Sequence, residues 1–197
     1  LKDLGVKLNT RIKLILGLDE ETGWRCVDYY FSKFPQVPKA GFIPDADFPL
    51  IYAEKGITST IIRGTFNQDK LISINGGLKS NMVPESATAD LKFDESIEAN
   101  WNNYLKTNNL IGDVKVNGDV VTVSVEGKSA HGSLPQDGVN AIHLLFKGLE
   151  VIGITNEFIN FVNQYLTFDL YGNNFGIAKE DDEMGKLTVN FGTLRTK

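Results

Sequence analysis

The feature that most constrains the fold is the pair Asn117-Gly118, set between two β-rich runs, Asp113-Val114-Lys115-Val116 and Asp119 to Glu126. Asn-Gly is a strong local signal for a type I′ hairpin, because that turn needs positive φ and its twist matches the twist of the flanking strands. A lone hairpin is marginal in water, so neighbouring segments must cover its apolar face. Before it, Ser96 to Thr107 places Ile97, Trp101, Tyr104 and Leu105 on one helical face. After it, Gly138 to Val151 reads as a helix burying Val139, Ile142, Phe146 and Leu149. Ala87 to Phe93 alternates as a strand should, and Leu187 to Phe191 can supply a closing strand. The order β-α-β-β-α-β is the split-βαβ, ferredoxin-like pattern. Phe158 to Leu166 reads as an extra helix. Tyr171 to Gly185, with the acidic run Glu180 to Glu183, reads as an exposed loop.

The N-terminal third has a different texture. Leu1 to Val6 resembles a last helical turn closed by Gly5, which suits a left-handed position. The run Ile12-Lys13-Leu14-Ile15-Leu16 reads as a buried strand, and it leads into Asp19-Glu20-Glu21. Thr22 to Phe34 then reads as a helix, with Trp24, Val27, Tyr30, Phe31 and Phe34 at helical spacing and Pro35 and Pro38 to stop it. Ala40 to Ile43 and Ser59 to Arg63 are further strand candidates, making a βαβ-like piece. Polar residues Thr65 to Lys70 mark the expected boundary, dividing the chain into 1–64 and 65–197. The fold class expected is α/β followed by α+β.

Composition excludes several functions. A net charge of −5, with no Lys/Arg cluster, argues against a nucleic-acid surface. No long apolar span or signal-like opening suggests membrane insertion or secretion. The single cysteine, Cys26, cannot form an internal disulfide and fits a reducing cytoplasm; its place on an apolar helix face suggests an inert thiol. A chain that opens on Leu1 and holds only two histidines, His131 and His143, reads as a piece of a longer protein.

Four stretches hold candidate chemistry. Asp19, Glu20 and Glu21 repel one another unless a cation or hydrogen-bond donors compensate them, so they mark either a metal site or a helix start with Asp19 as the cap. In Pro44-Asp45-Ala46-Asp47-Phe48-Pro49 the two aspartates share a face if the backbone is extended; the alternative is an Asx turn between prolines. His131 lies in Gly127-Lys128-Ser129-Ala130-His131-Gly132-Ser133-Leu134-Pro135, where small neighbours leave the imidazole accessible, although an exposed loop histidine is often without function. His143 falls on a helix beside apolar residues and reads as structural. Asn81, in Gly76-Gly77-Leu78-Lys79-Ser80-Asn81-Met82-Val83-Pro84-Glu85, is either a ligand contact or a turn-stabilising residue.

Four motifs in order, Gly17-Leu18-Asp19-Glu20-Glu21-Thr22-Gly23-Trp24, Pro44 to Pro49 with Glu54-Lys55-Gly56, Asn81-Met82-Val83-Pro84-Glu85 and Gly127-Lys128-Ser129-Ala130-His131-Gly132, resemble the dipeptidase V branch of the co-catalytic zinc peptidases. That superfamily also holds aminoacylases, glutamate carboxypeptidases, succinyl-diaminopimelate desuccinylases and carnosinases. The resemblance implies a catalytic-sheet portion over 1–64 and a ferredoxin-like lid over 65–197. It implies Glu20 as general base, Glu21 and Asp45 as ligands of two divalent metal ions (zinc, with manganese the alternative), and Asn81 and His131 as lid residues that grip a dipeptide and polarise its carbonyl. The expected setting is the cytoplasm, which the single cysteine fits, and the expected state a monomer or homodimer. Three features of the family pattern have no counterpart: an upstream His-x-Asp, a metal-bridging Asp and a late His ligand. Arg195 does not match the family's substrate-carboxylate arginine. The expectation is therefore an internal fragment that is inactive alone. The competing readings are a non-catalytic binding or oligomerisation module that reuses the lid fold, and an N-acyl-amino-acid amidohydrolase.

Overall fold

The hairpin stands where Asn-Gly announces it, with strands β3 (Gly112–Asn117) and β4 (Val120–Glu126) paired antiparallel. Asn117 pairs with Val120, so the connecting residues are Gly118, at φ 58°, and Asp119. The loop thus lies one residue later than the sequence suggests. This computed structural model describes all residues except 1, 2, 6, 21, 22, 44, 46–48, 68 and 197. The chain divides into two units, Leu1–Tyr52 and Ala53–Lys197.

In the second unit, β4 pairs with β2 (Ser86–Lys92), β2 with β1 (Leu71–Gly76), and β1 with the two-residue β7 (Leu194–Arg195). The sheet order is β3-β4-β2-β1-β7, with every neighbour antiparallel. Alternation sorts its faces. Ala87, Ala89 and Leu91 of β2 and Val121, Val123 and Val125 of β4 are buried. They lie in one core with helices α2 (Glu95–Thr107) and α3 (Ala141–Val151). On the opposite face Asp90 accepts hydrogen bonds from Ser73 and Thr122, both at 2.7 Å. This is the two-layer arrangement that a one-sided antiparallel sheet requires.

The helices begin where capping chemistry allows. The carboxylate of Asp94 accepts the Ser96 N–H and hydroxyl, which with Lys70 hold it down at about 2. Asn140 accepts the Ile142 N–H and starts α3 at Ala141, so Val139 lies outside the helix and is 45% exposed. Ile142, Phe146 and Leu149 are buried as their spacing requires. Trp101 of α2 is fully buried and donates its indole N–H to the Ser124 carbonyl at 3.2 Å. The extra helix expected over Phe158 to Leu166 is α4 (Glu157–Tyr165), one residue earlier, and it packs on α3. The acidic loop carries a small exposed hairpin, β5 (Glu180–Asp181) with β6 (Gly185–Lys186).

The elements β2-α2-β3-β4-α3 follow the split pattern, and the difference lies in the last strand. Leu187 to Phe191 forms no strand. The edge of β2 that a closing strand would occupy is already taken by β1, whose register runs from Leu71↔Leu91 to Gly76↔Ala87. The late segment β7 therefore adds outside β1.

In the first unit, helix α1 (Arg25–Lys33) carries half-buried Cys26, Val27, Tyr30 and Phe31 on one face, and no described residue is fully buried. Cys26 is accordingly half-buried, not enclosed. The strands expected at Ile12 to Leu16 and Ala40 to Ile43 do not form, nor does that at Ser59 to Arg63 in the second unit. A strand is stable only through its ladder, and none of these runs pairs with another described segment. Leu14 is 83% and Leu16 79% exposed. Gly5 adopts φ +64°, the left-handed position read for it.

Candidate functional site

The sheet of the second unit brings three loops together at one end. β1 ends at Gly76, β2 starts at Ser86 and β4 ends at Glu126, and these termini lie side by side through Gly76↔Ala87 and Ser86↔Glu126. The loop after β1 carries Asn81 and the loop after β4 carries His131. An antiparallel bridge joins Met82 to His131. Around it, the Val83 N–H donates to the Ala130 carbonyl at 2.8 Å, and the Gly132 N–H donates to the Asn81 carbonyl at 2.7 Å. The two residues read as substrate contacts, fifty positions apart, are thus held on adjacent backbones. Gly132 permits this approach, since a Cβ there would lie 2.9 Å from the Asn81 carbonyl oxygen.

The ring of His131 is exposed and oriented. Its Nδ1 lies 2.7 Å from the Ser133 hydroxyl and accepts the Ser133 N–H at 3.3 Å. In the tautomer whose Nδ1 accepts that N–H, the ring hydrogen sits on Nε2. His131 therefore presents a hydrogen-bond donor at its far nitrogen. Asn81 is half-buried.

The third segment was not legible as part of a site. The Asn190 side-chain amide donates to the carbonyls of Ser80 at 3.2 Å and Met82 at 2.8 Å, one on each side of Asn81. Thr188 donates to the Ser133 carbonyl at 3.1 Å. These contacts span 110 and 55 positions of sequence, so no local pattern announces them. Arg195 donates its guanidinium N–H groups to the carbonyls of Gly76, Gly77 and Leu194. It anchors β7 to the end of β1.

In the first unit the acidic stretch resolves in part. The Asp19 carboxylate accepts the Arg25 N–H at 3.1 Å and its Nε–H at 2.7 Å, while the Asp19 carbonyl accepts the N–H groups of Gly23 and Trp24. Asp19 thereby ties the turn that leads into α1, but it is not the cap expected of it: the helix begins at Arg25, with Trp24 in the cap position at φ 59° and no side-chain cap, and Glu20 lies before it. Glu20 and Asp45 are exposed. Glu21 lies outside the described residues, as do Ala46 and Asp47 beside Asp45. Among the described residues no three His, Cys, Asp or Glu side chains come together in a way that could hold a metal ion. The described residues alone do not constitute a metal centre. No helix among them is long and apolar enough to cross a membrane.

Comparison with known proteins supplies the family context. Residues 117–195 match the M20 model described as "Peptidase dimerisation domain". Over 207 aligned positions, the chain is 36% identical to the Staphylococcus aureus (strain USA300) protein named "Putative dipeptidase SAUSA300_1697". The same identity is found with "Putative dipeptidase SAB1611c" of the bovine strain RF122 and "Putative dipeptidase MW1694" of strain MW2. In each case 98% of this chain is covered, and the chain spans 44% of the relative's length.

Proposed function

From the premise that this chain belongs to the M20 peptidase family, we propose that the full-length protein hydrolyses dipeptides, with this chain contributing both a lid and part of the catalytic machinery. The division proposed is a partial catalytic domain over 1–64 and a ferredoxin-like lid over 65–197. The observation that carries the reading is the pairing of the Asn81 and His131 loops, with His131 oriented to donate from Nε2. Such a donor suits the oxyanion of a tetrahedral intermediate, and Asn81 beside it suits the polar backbone of a peptide substrate.

Glu20 is proposed as general base. It takes a proton from the attacking water as the water oxygen bonds to the scissile carbonyl carbon. It then delivers that proton to the leaving nitrogen as the C–N bond breaks, giving two amino acids. Glu21 and Asp45 are proposed as ligands of two divalent ions, zinc in preference to manganese, completed by ligands beyond the described residues. When bound, such ions lower the pKa of water toward neutrality. The chain by itself is expected to hydrolyse no dipeptide even with zinc or manganese added. A cytoplasmic setting is proposed from the single cysteine, and a homodimer from the matched dimerisation domain.

The test is made in the full-length protein. Glu20→Ala should abolish dipeptide turnover while bound metal, measured by elemental analysis, is retained. His131→Ala should lower kcat by about 10²- to 10³-fold, the usual effect of removing one oxyanion donor. Undiminished turnover in both variants would leave the oligomerisation-module reading, which the matched dimerisation domain favours.

A further inference from the structure

We propose that Asn190 and Thr188 are positioning residues that set the spacing of Asn81 and His131, so that one late segment of the chain tunes substrate grip and carbonyl polarisation separately. The inference rests on the dipeptidase reading for its kinetic part and on geometry alone for its structural part. Asn190 donates from one amide nitrogen to both carbonyls that flank Asn81, Ser80 and Met82. Two acceptors on one NH₂ fix the direction of that peptide segment more tightly than either could alone. The other end of the same amide is the second observation. Asn190 Oδ1 is buried and has no hydrogen-bond partner among the described residues. A buried acceptor left unsatisfied is unfavourable, and an apolar residue would avoid it. Its presence is explained if the donor side of the amide is what this position requires.

Thr188, two residues earlier, reaches the other loop. Its hydroxyl donates to the carbonyl of Ser133, the residue whose N–H and hydroxyl meet His131 Nδ1. The segment thus grips the Asn81 loop through Asn190 and the His131 loop through Thr188. Neither side chain is proposed to touch substrate.

The separation of the two grips gives the experiment, again in the full-length protein. Asn190→Asp keeps the shape but turns the donor into an acceptor facing two carbonyls. It should raise KM for a dipeptide about tenfold while kcat changes less than threefold. Thr188→Val, which removes only the hydroxyl hydrogen bond, should lower kcat about three- to tenfold with KM little changed. Asn190→Gln, which restores the amide donor, should recover part of the KM. Parallel losses of kcat and KM in both variants, or no kinetic change, would overturn the kinetic part.

Hydrogen exchange by mass spectrometry tests the tie without reference to turnover. In Asn190→Asp the peptide containing Gly132 should lose protection while peptides from β2 and β4 keep theirs. Unchanged protection there would overturn the proposal. If His131→Ala and Glu20→Ala leave dipeptide turnover intact, the catalytic roles proposed for Glu20 and His131 fail, and the exchange result still decides the tie.

Discussion

The two histidines of this chain occupy opposite environments, and the buried one can be tested through its proton. His131 is exposed and oriented by Ser133. His143 is only 3% exposed, accepts the Phe168 N–H at Nδ1, and lies against the rings of Phe168 and Phe191. Its Nε2 is buried with no partner among the described residues. Burial lowers its pKa from 6.5 to about 4, against the opposing pull of the Asp169 charge. Between those values the unfolded chain holds a proton that the folded chain does not. The contribution of His143 to stability is therefore level above pH 6.5 and falls as pH drops toward 4, by about 3 kcal/mol over the interval. Denaturant titrations between pH 7 and 4 should show this slope, and His143→Asn, which keeps an acceptor for Phe168, should flatten it. The structural reading of His143 came from its place among apolar helix positions. The orientation of His131 was legible only as an accessible loop residue, because the tautomer depends on where Ser133 turns back.

At the scale of elements, the helices of the second unit were legible because a 3.6-residue period and a cap are both local. Asn140 illustrates how much rests on one cap. Its side chain accepts the Ile142 N–H and donates to the Phe191 carbonyl, joining the start of α3 to the segment beyond it. Asn140→Ala should cost about 1–2 kcal/mol, read as a lower denaturant midpoint with unchanged slope. The contact of α2 with α3 depends on a glycine. A Cβ at Gly148 would come within 2.5 Å of Trp101 and 2.6 Å of Tyr104. Gly148→Ala should therefore destabilise by about 1–3 kcal/mol through overpacking, despite alanine's better helix propensity. Strands were less legible. Leu71-Ile72-Ser73-Ile74 alternates only weakly and becomes β1 because β2 offers it an open edge. Ile12 to Leu16 has stronger strand composition, but without a pairing partner among the described segments that composition makes no ladder.

At the scale of the molecule, the two units differ in how much they bury. The second has a contiguous core that includes Trp101, Phe146, Ile142 and Leu145. The first has no fully buried described residue. Hydrogen exchange of this chain should accordingly leave amides of β2, β4 and α3 protected longest, while those of Lys7 to Leu16 exchange early. Equal protection in both would contradict this distribution of burial. Period and turn chemistry depend on residues a few positions apart, and the sequence alone determined what rests on them: the hairpin at Gly118 and the faces of α2 and α3. Tertiary structure alone decided which strand took the free edge of β2, which loops met at the end of the sheet, and that Thr188 and Asn190 hold those loops. Those outcomes depend on contacts between residues far apart in the chain, where the energy of a pairing exists only once the rest of the sheet has brought its partners together.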